Sequence, residues 1–295
     1  MTQVSVCIPT FRRPESFRRA VESVFAQRNV ADIEIIAIDN SPEGSALPLC
    51  QAIAARAPLP FDFAHEPSPG VAHARNAALA RAGGDMVAWL DDDEEASPDW
   101  LAALIRTRRE TGAQSVFGPV RAHAPNAGRW RGMIEQLYAR AGASNDHFLA
   151  QPHGIGNSLQ PRALFDALEF DARANETGGE DDRLFAAWAQ AGAMFAWSAD
   201  ALVTEHVEGD RIHLRQGLKR AFAYGQGPCE TAWHARDLVT LARHMSVGAA
   251  QFCVFSAAAA VTGNGICLHR AARGAGKVLW FAEQRFYGAA LAKTA

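Results

Sequence analysis

This sequence lacks a concentrated charge of either sign. Its 29 lysine and arginine residues nearly balance 32 aspartate and glutamate residues, which gives a net charge of −3 and a pI of about 6.4. Because nucleic-acid-binding proteins carry a strongly basic surface, we expect no nucleic-acid partner. The hydrophobic content of 48% indicates a globular chain, with one domain of about 200 to 250 residues and an appendage.

Cysteine spacings typical of metal or redox sites are also lacking, and we expect no secretion signal. The five cysteines are odd in number, and none has the Cys-x-x-Cys spacing of zinc and redox sites. They are Cys7, Cys50, Cys229, Cys253 and Cys267. The first apolar run, residues 4–8, leaves no room before it for a basic leader and an apolar signal core. We therefore expect reduced thiols and a cytoplasmic location.

Short apolar runs alternate with amphipathic patterns in the first 120 residues. This alternation predicts an α/β fold, with a mostly parallel sheet, right-handed crossovers and helices on both faces. The expected strands are residues 4–8, 33–38, 61–65, 86–90 and 115–120, and the expected helices are residues 14–26, 71–82 and 98–111.

The alternation ends beyond residue 120. Residues 125–156 are rich in glycine, asparagine and proline, and we expect a loop-rich insertion there. The elements expected after it are a strand at residues 157–159, a helix opened by Pro161, a helix at residues 180–191, strands around Phe195 and Val203, and a basic helix at residues 211–224.

Three adjacent carboxylates, Asp91, Asp92 and Asp93, directly follow the apolar run 86–90. In α/β sheets, ligands bind outside the carboxyl ends of the strands. Three carboxylates at such an edge repel one another unless a cation binds them, and oxygen ligands favour Mg²⁺ or Mn²⁺. The alternative is a solvated acidic loop before the helix that Ser97 and Pro98 begin.

Further polar residues lie at positions where they could meet the same ligand. Asp39 follows the run 33–38 and could contact a nucleobase, or could form a simple Asx-turn. Arg75 could reach a base or a diphosphate, or could be a surface arginine. His206 could be a third metal ligand or a packed histidine.

A second acidic cluster, Glu180-Asp181-Asp182, follows two glycines at the start of an expected helix. Carboxylates are favoured at this end by the helix dipole, so helix capping is one interpretation. The same dipole keeps an aspartate ionised, which is the state that a general base needs. Both interpretations stay open on these residues alone.

Five short motifs, taken in order, resemble those of glycosyltransferase family 2, the inverting enzymes with the GT-A fold. They are residues 4–13, Ile38-Asp39-Asn40-Ser41, Ala74-Arg75-Asn76, Trp89-Leu90-Asp91-Asp92-Asp93 and Gly179-Glu180-Asp181-Asp182. The resemblance covers residues 4–227, which we expect to form the catalytic domain. Residues 228–295 would form a C-terminal helical segment.

The resemblance implies roles for residues of these motifs. The nucleotide-sugar would contact Pro9, Thr10, Phe11, Asp39, Arg75, Asp91 and Asp92, with the first three at the nucleobase and Asp91 toward the ribose. Asp93 would bind the metal, His206 would join the metal-diphosphate site, and Asp181 would be the catalytic base. Departures are modest: Phe11 stands where tyrosine is also common, and Glu94 where many members have a further aspartate.

The implied reaction moves a sugar from a nucleotide-diphosphate sugar, expected to be a UDP-sugar, to a hydroxyl of a saccharide or lipid-linked saccharide. A divalent metal stabilises the leaving diphosphate, and the base takes the proton of the attacking hydroxyl. One alternative is a nucleotidyltransferase, but residues 9–13 contain no glycine for a phosphate loop. Another is a non-catalytic scaffold, for which Asp93 or Asp181 would be expected to be replaced.

The C-terminal segment contains a long stretch without charge. Between Arg243 and Arg270 there is no Asp, Glu, Lys or Arg, although polar residues and glycines make the stretch only mildly apolar. We expect an interfacial helical hairpin turned at Gly263-Asn264-Gly265, on the cytoplasmic face of the inner membrane. A spanning helix and an ordinary packed helical pair are the alternatives. The residues expected at the lipid are Arg270, Arg273, Lys277, Trp280, Phe281, Phe286 and Tyr287.

Overall fold

The computed structural model describes residues 3–174 and 179–282, so the predicted lipid contacts of Phe286 and Tyr287 lie outside the described residues. The chain divides into two compact units. The first contains residues 3–121 and 140–206 of the described part, and the second contains residues 122–139 and 207–282. The boundary predicted after Gly227 falls inside a helix of the second unit, so the compact units do not divide there.

The strands of the described residues are β1 (Val4–Thr10), β2 (Ile33–Asp39), β3 (Phe61–His65), β4 (Met86–Trp89), β5 (Glu94–Ala96), β6 (Ser115–Phe117), β7 (Val120–His123), β8 (His147–Leu149), β9 (Ser158–Pro161), β10 (Phe195–Trp197) and β11 (Val203–His206). The helices are α1 (Pro14–Phe25), α2 (Leu47–Ala54), α3 (Val71–Leu79), α4 (Trp100–Thr111), α5 (Arg131–Tyr138), α6 (Glu180–Gln190), α7 (Leu214–His234), α8 (Leu238–Thr262) and α9 (Gly265–Val278).

The first unit is built on an eight-stranded sheet with the order β3-β2-β1-β4-β9-β6-β10-β8. Strands β3, β2, β1 and β4 run parallel, as their apolar runs predict, because each is followed by a helix that crosses back over the sheet. Strand β9 is antiparallel to both of its neighbours, and β8 is antiparallel to β10. The α/β prediction with a mostly parallel central sheet is confirmed.

Apolar side chains cover both faces of this sheet. On one face, Phe17 and Val21 of α1 and Trp100 and Leu104 of α4 pack against the strands. On the other face, α3 and α6 enclose an aromatic cluster in which Trp89 of β4 lies edge-on to two phenylalanines. Helices on both faces are therefore confirmed, and the packed strands hold the residues at their carboxyl ends in place.

Several expectations about the middle of the chain are wrong. The supposed loop region 125–156 contains a 3₁₀ turn, helix α5 and strand β8. Helix α5 is not evident from the sequence because its buried stripe spans less than two full turns and glycines lie around it. The stripe consists of Met133, Ile134, Leu137 and Tyr138. Residues 115–120 form parts of two strands, β6 and β7, and helix α2 was not predicted at all.

Two helix boundaries also differ from the prediction. Pro161 ends strand β9, and only a 3₁₀ turn, Arg162–Phe165, follows it. Helix α7 begins at Leu214 rather than at residue 211 and continues to His234 with Pro228 inside it. Buried small residues of this helix, including Gly217 and Ala221, give it a packed face that local sequence signals do not reveal.

The second unit packs helices α5, α7, α8 and α9. Gly225 of α7 and Gly276 of α9 each lie where an added Cβ would collide with a carbonyl oxygen of the other helix, so these helices approach backbone to backbone. The turn predicted at residues 263–265 is confirmed: Gly263 ends α8 with a φ of +64°, and the Asn264 side chain accepts from the Ile266 N–H at 2.8 Å.

Helix α8 leaves much apolar surface uncovered. Val239, Phe252, Val254 and Val261 are among its exposed side chains. By length and composition alone, it is the one helix in the described part of the chain that could cross a membrane.

Candidate active site

Three parallel strands bring polar residues to one edge of the sheet. Thr10 at the end of β1 lies opposite Asp39 at the end of β2, and the acidic triplet 91–93 follows β4 on the other side of β1. These residues are therefore neighbours because of how β1 pairs with β2 and β4, although they are far apart in the sequence. This edge is where ligands bind in α/β sheets.

Asp92 ties the end of β1 to the acidic triplet. Its side chain is buried, and its Oδ2 accepts hydrogen bonds from Thr10 Oγ1 at 2.8 Å and from the Phe11 N–H at 3.2 Å. Burial raises the pKa of Asp92 to about 6, although the Arg13 cation and the Thr10 hydroxyl oppose the change. In this arrangement Asp92 holds the end of β1 and the backbone of Phe11, which belong to the segment expected at the nucleobase.

Asp93 is held by a cation that the motif analysis did not single out. Arg13 Nη1 lies 2.7 Å from Asp93 Oδ2 and 3.3 Å from Asp92 Oδ1. The backbone N–H of His206 donates to the Asp93 carbonyl at 2.8 Å, but the His206 ring lies 2.8 Å from the Glu95 carboxylate. The backbones of His206 and Asp93 are therefore hydrogen-bonded, whereas the His206 ring pairs with Glu95 and not with Asp93.

Asp91 lies on the opposite side of the triplet, and its side chain is 43% exposed. Its Oδ1 is 3.8 Å from Arg75 Nη2, and a Cβ added to Gly156 would come within 2.5 Å of its Oδ2. Glycine at 156 therefore lets the segment 154–156 pass directly against this carboxylate. Of the three aspartates, Asp91 is the one that presents most of its carboxylate to solvent.

Asp181 stands at the start of α6, where the preceding Gly179 has a φ of +81°. Its Oδ2 accepts from the Ile155 N–H at 3.0 Å, and its Oδ1 accepts from the Asp182 N–H at 3.0 Å. Since Gly156 lies against Asp91, the segment 154–156 separates the two carboxylates. The predicted base Asp181 and the acidic triplet are far apart in sequence, but both lie against the three residues 154–156.

Arg75 is buried, which excludes the surface arginine of the alternative interpretation, while its contact with a base or a diphosphate stays a prediction. It is 6% exposed, forms a buried ion pair with Glu180, and lies 5.5 Å from the centre of the Phe170 ring. Burial raises the pKa of Glu180, and the Arg75 cation opposes that change. Arg75 therefore joins helix α3 to the start of α6 and helps to place Asp181, and it is not a surface arginine.

Asp39 is fully buried, and both oxygens of its carboxylate accept hydrogen bonds from the loop that follows β2. Oδ1 accepts from the Ser41 N–H at 2.9 Å and from the Ser41 hydroxyl at 2.7 Å, and Oδ2 accepts from the Ala46 N–H. These are the hydrogen bonds of the Asx-turn alternative. Contact between Asp39 and a nucleobase stays a prediction.

Three residues of the site were missed by sequence reasoning. Arg13 lies beside the 9–11 loop, so its position in the first motif was an available signal. Glu180 stands in the fifth motif, but its pairing with Arg75 depends on tertiary structure. Arg140 donates to the carbonyls of Gly154 and Gly156, and no local pattern marks it as part of a site.

A model of the family "Glycosyl transferase family 2" matches residues 5–168, which is more than half of the chain. The succinoglycan biosynthesis protein ExoM of Rhizobium meliloti is 36% identical over 237 residues, covering 76% of this chain and 72% of ExoM. A glucosyl-dolichyl phosphate glucuronosyltransferase of Haloferax volcanii is 31% identical over 127 residues, covering 40% of this chain and 37% of that protein. This chain belongs to glycosyltransferase family 2 and is a transferase.

Solved structures of TarS from S. aureus share the fold. One TarS structure aligns with a TM-score of 0.52 and 15% identity, covering 75% of this chain and 39% of that chain. TarS 1–349 in complex with UDP-GlcNAc aligns with a TM-score of 0.53 and 16% identity, covering 75% of this chain and 64% of that chain. The GT-A fold that the motifs implied is confirmed.

Members of this family generally use a divalent metal, and the side chains at the sheet edge are compatible with one. Among residues 3–174 and 179–282, no three histidine, cysteine, aspartate or glutamate side chains form a complete metal site. Mg²⁺ commonly needs only one or two protein carboxylates, because phosphate and water complete its shell. Asp93, the predicted ligand, lies at this edge and is paired with Arg13, and Asp91 beside it is more exposed.

Proposed function

We propose that this protein transfers a sugar, with inversion at the anomeric carbon, from a nucleotide-diphosphate sugar to a hydroxyl of a saccharide or lipid-linked saccharide. The observation that carries the proposal is the meeting of Asp181 with the acidic triplet across residues 154–156. A base beside a diphosphate site is what a single inverting displacement requires. The UDP-GlcNAc complex of TarS supports a UDP-sugar as donor, and the name of ExoM supports a role in polysaccharide synthesis.

In this mechanism the nucleotide lies against Pro9, Thr10 and Phe11 at the end of β1, where Asp92 holds Thr10 and Phe11 in place. Asp93 is the residue that would hold a divalent ion, Mg²⁺ or Mn²⁺, at the diphosphate, and Asp91 would lie toward the ribose. When bound, the ion supplies positive charge that stabilises the leaving diphosphate. His206 would join this site only if its ring left Glu95.

Asp181 acts on the acceptor. Its carboxylate accepts the proton of the acceptor hydroxyl while the hydroxyl oxygen forms a bond to the anomeric carbon. The bond from that carbon to the diphosphate oxygen breaks at the same time, and the electron pair leaves with the nucleoside diphosphate. The peptide N–H groups of Ile155 and Asp182 each hold one oxygen of Asp181 and so fix the orientation of its carboxylate.

Peripheral contact with the cytoplasmic face of the inner membrane forms part of the proposal. The exposed apolar side chains of α8 would enter the lipid interface. Basic residues of α9, Arg270, Arg273 and Lys277, would lie near anionic headgroups. Such a location suits an acceptor that is carried on a lipid.

The test is a panel of nucleotide-sugars, with thermal stabilisation measured in MgCl₂, in MnCl₂ and in chelator. A ligand that binds only the folded state raises the melting temperature according to its concentration relative to Kd. We expect one donor to stabilise the protein in the presence of metal and to release its nucleoside diphosphate when acceptor is added. Stabilisation by nucleoside triphosphates with pyrophosphate release would favour a nucleotidyltransferase instead, and binding of a donor without any transfer would favour a scaffold.

A further inference from the structure

Arg140 reaches the site from a backbone position that is itself fixed. Its N–H donates to the Val120 carbonyl and its carbonyl accepts from the Val120 N–H, both at 2.9 Å. This pair forms an isolated antiparallel bridge at the start of β7. These two hydrogen bonds therefore hold the backbone from which the Arg140 side chain extends.

The guanidinium group of Arg140 holds two carbonyls of one short segment. Nη1 donates to the Gly154 oxygen at 2.6 Å, and Nη2 donates to the Gly156 oxygen. The peptide between them has the N–H of Ile155, which donates to Asp181 Oδ2 at 3.0 Å, and the Ile155 side chain is buried. Arg140 and Asp181 thus hold the same three residues, one through the carbonyls and the other through the N–H.

The segment 154–156 has little freedom to move without disturbing a carboxylate. A Cβ added to Gly154 would lie 3.6 Å from Asp181 Oδ2, and one added to Gly156 would lie 2.5 Å from Asp91 Oδ2. A shift of the segment would therefore change the surroundings of Asp91 and of Asp181 together.

The electrostatic surroundings of Arg140 support the same assignment. Burial lowers the pKa of Arg140, whereas the nearby carboxylates of Glu94, Asp91, Glu205 and Asp181 oppose the change. A cation among these acids limits their mutual repulsion, so the carboxylates can stay close together.

We propose that Arg140 is a positioning residue for Asp181 and acts through the segment 154–156. The inference rests on the proposed function, because it takes Asp181 as the base. Charged donors form the stronger class of hydrogen bond, so two of them on one segment restrict it effectively. A base displaced by a fraction of a hydrogen-bond length loses much of its effect, while the nucleotide site at the ends of β1 and β2 is left unchanged.

The first test measures the segment directly and does not require activity. Arg140→Met removes both donors and the charge but keeps the length of the side chain. Arg106→Met is the matched control, because Arg106 forms a surface ion pair with Asp200 in the same unit, at 2.8 Å. We expect amide hydrogen exchange of a peptide covering residues 152–158 to accelerate at least about tenfold in Arg140→Met and to stay unchanged in Arg106→Met.

The second test is kinetic. In Arg140→Met we expect kcat to fall about tenfold or more. The donor KM and the Kd of free UDP should rise by a smaller factor, because the contacts at the ends of β1 and β2 remain and only the surroundings of Asp91 change. Arg140→Lys should restore part of kcat, since an ammonium group can still donate to these carbonyls. In an Asp181→Asn background, Arg140→Met should cost less than threefold, because the group that it positions has already been removed.

Several outcomes would overturn the proposal. Unchanged exchange in Arg140→Met would show that Arg140 does not hold the segment, and equal losses of kcat with and without Asp181 would show that it does not act through the base. A raised KM with unchanged kcat would make it a donor-binding residue. If Arg140→Met fails to fold, the exchange and kinetics of Arg140→Lys decide by the same criteria. Absence of transfer by the wild type with every nucleotide-sugar would instead refute the proposed function, and the base role of Asp181 with it.

Discussion

Replacement of Asp181 by asparagine removes the proposed base with little change in shape. The side chain keeps one oxygen, which can still accept from the Ile155 N–H or from the Asp182 N–H, but its amide nitrogen cannot accept from the other. One hydrogen bond at a partly exposed helix end is therefore lost. A loss of this kind costs about 1 kcal/mol of unfolding free energy, which leaves the protein folded.

The expected effect on turnover is much larger. Loss of a general base lowers the rate by roughly a hundredfold or more, which is about 2.7 kcal/mol of transition-state stabilisation at 1.36 kcal/mol per tenfold. The nucleotide contacts at the ends of β1 and β2 do not involve Asp181, so the donor KM and the Kd of free UDP should change little. Asp182→Asn is a control at the same helix end.

The assay is release of nucleoside diphosphate in the presence of acceptor, at donor concentrations that span the KM, together with calorimetry of free UDP. Far-ultraviolet circular dichroism and thermal unfolding establish that the variant is folded. The reasoning is refuted if donor affinity collapses while turnover persists, because Asp181 would then be a binding residue and the base would lie elsewhere.

Three further predictions follow from the site and the surfaces. Asp93→Ala should abolish transfer and metal-dependent binding of nucleotide, measured by calorimetry with and without MgCl₂; full wild-type activity in excess chelator would contradict this. His153 lies edge-on to Phe117 and Trp197, and burial lowers its pKa from 6.5 to about 4, so its contribution to stability is present above pH 6.5 and lost as the pH falls toward 4. His153→Gln should reduce the acid-induced loss of unfolding free energy by about 1 kcal/mol, because solvent screening at this partly exposed ring weakens the effect of the pKa shift, in urea titrations at pH 7 and pH 4.5; an equal loss in both proteins would exclude this histidine. The full chain should pellet with anionic vesicles, whereas a variant with the exposed Val239, Val254 and Val261 of α8 changed to serine should not, and salt should release much of the bound protein; a full chain that stays in the supernatant would show that the exposed face of α8 does not bind lipid.

Much of the sheet was predictable because its strands and their ends are local features. β1, β2, β3 and β4 appear in the sequence as short apolar runs followed by turn residues, and packing on both faces makes such runs continuous. The acidic triplet was recognisable for the same reason, since it comes directly after β4. Helix α5 was missed because its two turns are flanked by glycines, and their local preferences outweigh a short apolar stripe.

The sequence by itself therefore determined the α/β alternation, the edge at which Thr10, Asp39 and the triplet meet, and the position of Asp181 at a helix start. These depend on periodicity, turn chemistry and the order of strands. Only the tertiary structure decided which charges pair: Arg13 with Asp93, Arg75 with Glu180, and Arg140 with the carbonyls beside Asp181. The partners of Arg13 and Arg75 lie 80 and 105 residues away, and all three contacts form only after the sheet and its helices have packed, so no local pattern encodes them.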